Sequence, residues 1–403
     1  MASKNKRILL TEGSSLSSRE TITALSECGY QIDILSSTTL CTCAFSRWRH
    51  KIIKTVNAND DPQGYLKHIS HLLHDNDYLA VVPTHEQAWL LAEGRSFLPV
   101  DAPMAVASTD AFGNTQSKIS FAALLDELHI QQPQWQIIDQ SLEVAIPYPF
   151  WLKSEYGTAG RTVHKVHNPA ELQQLYAGIH SSRDNRLMIQ EDINGRYGQV
   201  VAVFDQGKMI AVHTTLQAGR GVGDSAAARL SIDSPMSRSD MLAVGQRLQW
   251  HGAITFDFIM RDGKPFYIEC NPRMVEPANA QCAGVNLPDL LIKLSAGLPF
   301  PSTLQVGRAG VKTRSTQALL LGTAEKTRKR RDVLTRLSAC LRDRTSVEVL
   351  TPVLRDPPSI VPFVVVLVAL LVNPRSVSRF ASSAVTTYGI QPKTVMKLIS
   401  QLR

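Results

Sequence analysis

At 403 residues, 44% of them hydrophobic and 19% charged, the chain has room for several subdomains around sizeable cores, which excludes an extended disordered protein. The formal net charge of +8 sits at one end: residues 321–403 hold fourteen Lys/Arg against five Asp/Glu, so the rest is near neutral and is not read as a nucleic-acid binder. The six cysteines form no CxxC pair and fit free thiols in a reducing cytoplasm, and the basic start MASKNKRILLTEG lacks the apolar stretch of a secretory signal.

Residues 6–37 read as strand, helix, strand. The apolar run Ile8–Leu10 ends before Gly13, Ser17 or Ser18 caps a helix to about Cys28, Gly29 stops it, and Gln31–Leu35 is the second strand. This is a βαβ opening on a parallel sheet, and its Gly13 turn is not the GxGxxG of a dinucleotide site. A further strand, Tyr78–Val82, leads through His85 and Glu86 into a helix reaching Leu91. Ligand crevices form at the carboxyl ends of such strands. Capping and solvation explain these two side chains equally well. Gln116–Leu128 has the spacing of an amphipathic helix, with Ile119, Ala122, Leu125 and Leu128 on one face and Lys118 at its start.

Pro149–Lys153 is a strand ending in lysine. Gly157 and Gly160 bracket the loop that follows, which returns as the strand Thr162–Val166. Glycine leaves backbone N–H groups open to phosphate oxygens, and a lysine at the strand end adds positive charge; a plain hairpin turn accounts for the same residues. Leu187–Ile193 is another strand, and Gln199–Phe204 and Lys208–Val212 pair across the turn Asp205-Gln206-Gly207. Gln217–Arg229 is Gly-rich and carries Arg220 and Arg229. Its composition suits either a mobile loop that closes over substrate, with an arginine clamping a carboxylate or phosphate, or a disordered surface loop. Ser239–Trp250 reads as a helix.

The most informative stretch is His251–Arg273, HGAITFDFIMRDGKPFYIECNPR. Two strands, Thr255–Met260 and Pro265–Cys270, flank the turn dipeptide Asp262-Gly263. Alternation puts Thr255, Asp257 and Ile259 on one face and Phe256, Phe258 and Met260 on the other. A hairpin can therefore gather Asp257, Glu269 and Asn271 as three oxygen donors of the kind a hard divalent cation takes, with Arg273 beside them; an ordinary hairpin with a solvated charged face is the competing reading. Beyond it, Pro277 interrupts Met274–Ala283, Leu287–Ala296 is a core helix, and the basic run Lys326–Arg331 lies within a helix. Ile360–Val372 is an apolar run of thirteen residues, short of a membrane span. A buried element, an interfacial segment flanked by Arg355, Arg375 and Arg379, and a partner-binding helix all fit it.

The hairpin resembles the metal-binding hairpin of the ATP-grasp superfamily, in which an acidic residue is followed about twelve positions on by Glu-x-Asn; here these are Asp257, Glu269 and Asn271, with Arg273 completing an Asn-x-Arg form. The resemblance covers roughly residues 5–310 and is similar to biotin carboxylase and carbamoyl-phosphate synthetase. It implies a pre-ATP-grasp α/β domain over residues 1–113, an ATP-grasp domain with antiparallel sheets over 114–315, and a basic, largely helical C-terminal region over 316–403. By the same resemblance Lys118, Lys153, Gly157 and Gly160 contact ATP phosphates, although Ser117 replaces the usual aspartate before the lysine, and Glu191 and Ile193 lie at the adenine hinge. Asp257, Glu269 and Asn271 hold Mg²⁺ (or Mn²⁺), and Arg273 stabilises charge in the transition state.

The implied activity is ADP-forming ligation of a small-molecule carboxylate to an amine through an acylphosphate, perhaps involving an amino acid. The expected location is the cytoplasm, with peripheral membrane contact and an oligomer left open. Biotin carboxylases carry Glu-His after Asn-x-Arg; here Met274, Val275, Glu276 and Pro277 follow, which argues against a carboxylase. The competing reading is an ATP-binding regulatory protein without turnover, held at a membrane by its tail.

Overall fold

The computed structural model describes residues 6–157, 162–179, 186–378, 380 and 389–402. The first unit runs β1 (Arg7–Leu10), α1 (Leu16–Leu25), β2 (Gln31–Ser36), β3 (Arg49–Lys54), α2 (Pro62–Asp75), β4 (Ala80–Val82) and α3 (Gln87–Glu93). Its four strands pair in parallel in the order β3-β2-β1-β4. Ile8, Leu9 and Leu10 are all fully buried, as a parallel strand covered on both faces requires. The cap of α1 is Ser15 rather than Ser17 or Ser18: its Oγ accepts the Ser18 N–H at 3.0 Å. Glu12 accepts the N–H groups of Ser14 (2.7 Å) and Ser15 (3.0 Å), so a carboxylate already serves this helix start.

The expected helix over 116–128 is α5 (Lys118–Glu127), and a separate helix, α4 (Thr109–Gln116), precedes it. Ser117 between them is extended and caps α5 by accepting the Ser120 N–H at 3.0 Å. A small antiparallel sheet follows from β5 (Trp135–Ile138), β6 (Phe150–Ser154), β7 (Val163–Val166), α6 (Pro169–Ile179) and β8 (Leu187–Glu191), in the order β5-β8-β6-β7.

The large sheet is built from β9 (Arg196–Asp205), β10 (Lys208–Arg220), β11 (Ala226–Ile232), β12 (Gly252–Arg261), β13 (Lys264–Asn271), β14 (Gln305–Val306), β15 (Lys312–Arg314) and β16 (Val347–Glu348). Its order is β13-β12-β9-β10-β11-β15-β16, with β14 beside β10. Helices α7 (Pro235–Arg247), α8 (Ala278–Cys282) and α9 (Leu287–Ser295) connect or cover it. Phe256, Phe258 and Tyr267 are fully buried under this sheet, with Phe256 against Phe121 of α5 at a ring separation of 5.1 Å. The alternation read from the hairpin thus sends its aromatic face into the core.

The Gly-rich stretch is largely paired β-structure rather than irregular loop. It is the tip of the β10–β11 hairpin, with Gln217 opposite Arg229, closed by a short turn over Val222–Asp224. Two of its glycines meet α10 (Thr316–Thr327): a Cβ on Gly219 would lie 2.8 Å from Leu319 Cδ2, and a Cβ on Gly322 of the helix would lie 2.6 Å from the Gly221 carbonyl carbon. In an exposed helix Gly→Ala stabilises by about 1 kcal/mol. Here overpacking against backbone outweighs that gain, and Gly322→Ala lowers unfolding stability by about 1–3 kcal/mol in denaturant titration; a stabilised variant would contradict the contact.

The basic run is divided by a helix break. Arg328 adopts the left-handed conformation (φ 55°) and ends α10, and Lys329 caps α11 (Arg330–Arg342). Residues 316–403 are stitched to the rest of the chain at three places. Strand β16 pairs with β15. Asp356, fully buried, accepts from Arg19 Nη2 at 2.6 Å and from the Arg47 N–H at 2.7 Å. The Ile390 N–H donates to Glu86 at 2.9 Å. The apolar run forms α12 (Ile360–Val372), which buries Val366 and Leu370 against Leu320, Ala324 and Val333 and leaves Val361, Val364, Val365, Val368 and Val372 exposed. The last helix, α13 (Pro392–Leu402), buries Val395 and Leu398 against α2 and α3. Among the described residues no helix is long and apolar enough to cross a membrane.

Candidate active site

The β12–β13 hairpin turns through Asp262 (φ 51°) and Gly263 (φ 76°), two left-handed positions that a tight hairpin turn demands. Its register sets Asp257 directly opposite Glu269 and Asn271 opposite Thr255, with a bulge just after Asp257. Burial, then the neighbouring Glu269 carboxylate, pushes Asp257 up to about 6. Gln199, opposite Asp257 on β9, donates Nε2–H to Asp257 Oδ1 at 2.7 Å; Asn271 Nδ2 donates to Asp257 Oδ2 at 3.2 Å. Arg273 Nη2 donates to Asn271 Oδ1 at 3.0 Å and lies 3.9 Å from Glu86 Oε1. The Thr255 hydroxyl donates to the Arg273 carbonyl at 2.8 Å, which fixes the backbone that carries the guanidinium.

Two lysines close on this face from other elements. Lys118 at the start of α5 pairs with Glu269 (Nζ–Oε1 3.0 Å) and donates to the Gly157 carbonyl at 3.4 Å. Lys153 at the end of β6 donates to Gln190 Oε1 at 2.5 Å and to the Ile268 carbonyl at 3.2 Å. Burial pushes Lys153 down to about 8 against the opposing pull of Glu269. Lys118, Lys153, Gly157, Asp257, Glu269, Asn271 and Arg273 are thereby linked in one constellation. Glu191 and Ile193 stand one and three residues beyond Gln190; Glu191 exchanges hydrogen bonds with the Gln134 backbone, and Ile193 is buried. Gly160 lies outside the described residues.

No cluster of three or more His, Cys, Asp or Glu side chains suited to a metal occurs among the described residues. The hairpin offers two carboxylates and an amide. That donor set fits Mg²⁺, which keeps several waters and takes one or two carboxylates together with substrate phosphates. Burial first, and the facing Glu269 carboxylate second, raise Asp257, and a divalent cation placed between the two acids would offset both.

Sequence reading passed over four participants. Gln199 holds Asp257 from the adjacent strand; it shares a strand face with the buried Val201 and Val203, so no polar alternation marked it. Arg229, expected on a loop where an arginine clamps a carboxylate or phosphate, is instead buried in β11 and spans from Gln199 Oε1 to Glu276 Oε2, the latter at 2.5 Å. Glu276 takes the left-handed conformation (φ 40°). Glu20 of α1 accepts the Ala278 N–H at 3.0 Å, and no local pattern marked it.

Burial and the Glu276 carboxylate raise Glu20 from 4.5 to about 8, with Arg229 opposing and Glu348 adding to the rise. A carboxyl raised on folding stabilises the fold in its protonated form, fully below the unfolded pKa, and that contribution is lost as pH climbs through about 8. The melting temperature therefore falls from pH 7 to pH 9, and Glu20→Gln reduces that fall; an unchanged slope in the variant would contradict the assignment.

No family model matches the chain. Its sequence is 26% identical over 211 residues to the multifunctional protein URA2 of Saccharomyces cerevisiae, covering 48% of this chain and 10% of that protein. It is 25% identical over 210 residues to the carbamoyl phosphate synthase large chain of Pyrococcus furiosus, covering 48% and 19%. The chain thus spans less than a fifth of the length of these curated relatives.

Among solved structures it superposes on N5-carboxyaminoimidazole synthetase from Staphylococcus aureus complexed with ADP, with TM-score 0.61, 15% identity, and coverage of 79% of this chain and 85% of that one. The biotin carboxylase domain dimer of Hydrogenobacter thermophilus 2-oxoglutarate carboxylase, in complex with MgADP, ADP and bicarbonate, gives 0.60, 16%, 76% and 73%. The L-amino acid ligase of Bacillus licheniformis gives 0.56, 13%, 73% and 75%. The chain has the ATP-grasp fold. Within that ATP-grasp frame the small sheet β5–β8 and the large sheet meet where Lys153 of the first reaches the Ile268 carbonyl of the second.

Proposed function

We propose that this ATP-grasp protein is an ATP-dependent carboxylate–amine ligase that forms ADP through an acylphosphate intermediate. The observation that carries the reading is the pairing of Asp257 with Glu269 under Lys118, with Asn271 and Arg273 continuing the same face. Asp257, Glu269 and Asn271 are the residues that would hold Mg²⁺, and the bound ion would supply charge neutralisation at the ATP phosphates. Lys118 and Lys153 bind and orient phosphate oxygens, and the backbone around Glu191 and Ile193 seats the adenine. Arg273 stabilises negative charge that develops on the transferring group. Glycine at Gly157 leaves the backbone open to phosphate oxygens beside Lys118. The substrates are a small-molecule carboxylate and an amine.

Trapping with hydroxylamine tests the intermediate. Protein mixed with Mg²⁺-ATP, a pool of carboxylic acids and hydroxylamine yields an acyl hydroxamate and one ADP for each hydroxamate. Equimolar AMP and pyrophosphate in place of ADP would overturn the acylphosphate.

A further inference from the structure

The Arg273 guanidinium is anchored along one edge. Its Nη2 donates to Asn271 Oδ1 at 3.0 Å and lies 3.9 Å from Glu86 Oε1. Among the described residues its Nη1 and Nε make no hydrogen bond, so the rest of the planar fork is available to a substrate oxygen. The Arg273 and Glu86 side chains are 9% and 6% exposed, and their attraction therefore acts with little screening by water. Glu86 belongs to the first unit of the fold, where it directly precedes α3 in the loop after β4.

The other oxygen of Glu86 is held by the end of the chain. Glu86 Oε2 accepts the Ile390 N–H at 2.9 Å, across 304 positions of sequence. Asn59 fixes the backbone on either side of Ile390. Its Nδ2 donates to the Gly389 carbonyl at 2.7 Å, and its Oδ1 accepts the Gln391 N–H and the Thr394 hydroxyl, both at 2.8 Å. Ile390 is itself buried, and Val395 and Leu398 seat α13 on α2 and α3. A carboxylate with an N–H on one oxygen and a cation facing the other has little rotamer freedom left, and the guanidinium it faces is restrained in turn.

We infer that Glu86 is a positioning residue for Arg273 and that residues 389–402 are the strap that holds Glu86 in place. This role rests on the ligase reading, in which Arg273 meets the transferring group. The strap acts on the orientation of one guanidinium, and hence on kcat rather than on the binding of ATP.

The test reads kcat and KM for ATP in ADP formation, together with amide hydrogen exchange over residues 389–402. Glu86→Gln keeps an acceptor for the Ile390 N–H and removes the charge facing Arg273. It lowers kcat about tenfold or more, with KM for ATP within about twofold of wild type. Asn59→Ala loosens the strap: exchange over 389–402 quickens and kcat falls about threefold or more, again at nearly constant KM. Asn59→Asp, which keeps the acceptor for Gln391 and Thr394, recovers part of that loss. The variant carrying both Glu86→Gln and Asn59→Ala falls no further than Glu86→Gln alone, because both act through the same guanidinium. Additive losses, or an unchanged kcat in Glu86→Gln, would overturn the positioning role. If no carboxylate and amine pair yields ADP from the wild type, the ligase reading falls and exchange alone decides the strap. Faster exchange over 389–402 in Glu86→Ala would then support it, and unchanged exchange would overturn it.

Discussion

Glu269→Gln lowers Mg²⁺-dependent ADP formation by about 10²–10³-fold or more while the melting temperature changes little. The Glu269 side chain is one-third exposed (33%) and its partner is Lys118, so neutralising it leaves no deeply buried unpaired charge. It also removes the carboxylate that helps push Asp257 up, an effect that favours the folded state. The loss therefore falls on function: one of two anionic donors is gone, and Lys118 loses the partner that aims it across the hairpin. Steady-state ADP release and circular dichroism melts, run side by side, check both halves. Wild-type-like turnover would remove Glu269 from the metal set. A melt lowered by many degrees would assign the residue to structure.

Asp356→Ala lowers unfolding free energy by about 3–5 kcal/mol, the range seen when one partner of a buried ion pair is removed. Arg19 and Asp356 are 3% and 0% exposed in their side chains and meet at 2.6 Å across 337 positions of sequence. Burial pulls the Arg19 guanidinium down and the Asp356 charge opposes that pull, so truncation strands a buried cation and leaves the Arg47 N–H without its acceptor. Asp356→Asn keeps an oxygen for that N–H and loses less. Guanidinium titration gives the numbers, and a loss below about 1 kcal/mol for the alanine variant would mean that the other contacts, β16 against β15 among them, hold the C-terminal region.

The features legible in the sequence are those decided within a few residues. Asp262-Gly263 required two left-handed positions, and the polar–aromatic alternation on either side fixed which face reaches the core, so the cross-strand meeting of Asp257 and Glu269 followed from local chemistry. The opening βαβ unit was legible for the same reason, with Gly29 at φ 72° in the turn into β2, although α1 itself ends earlier, at Leu25. Where capping or packing partners come from elsewhere, local pattern misled. Ser117 sets the start of α5 two residues later than its pattern implied, because its hydroxyl both caps α5 and donates to Glu155 Oε1, just past the end of β6, at 2.7 Å. The Gly-rich composition of the β10–β11 tip reflects contact with α10, nearly a hundred residues later. Arg328 ends α10 in a left-handed conformation that a basic run does not announce. Glu20 and Gln199 enter the candidate site through tertiary contacts with Ala278 and Asp257, which no spacing along the chain encodes.

In the proposed reaction ATP activates a carboxylate on the face formed by Asp257, Glu269 and Arg273, and an amine captures the activated group. The most direct test is ADP release by the purified chain from Mg²⁺-ATP, with carboxylate and amine pools supplied separately and together. The account predicts sustained ADP and phosphate release only when both pools are present, with one C–N product per ADP. ATP binding without turnover under every combination, or release of AMP and pyrophosphate, would contradict it.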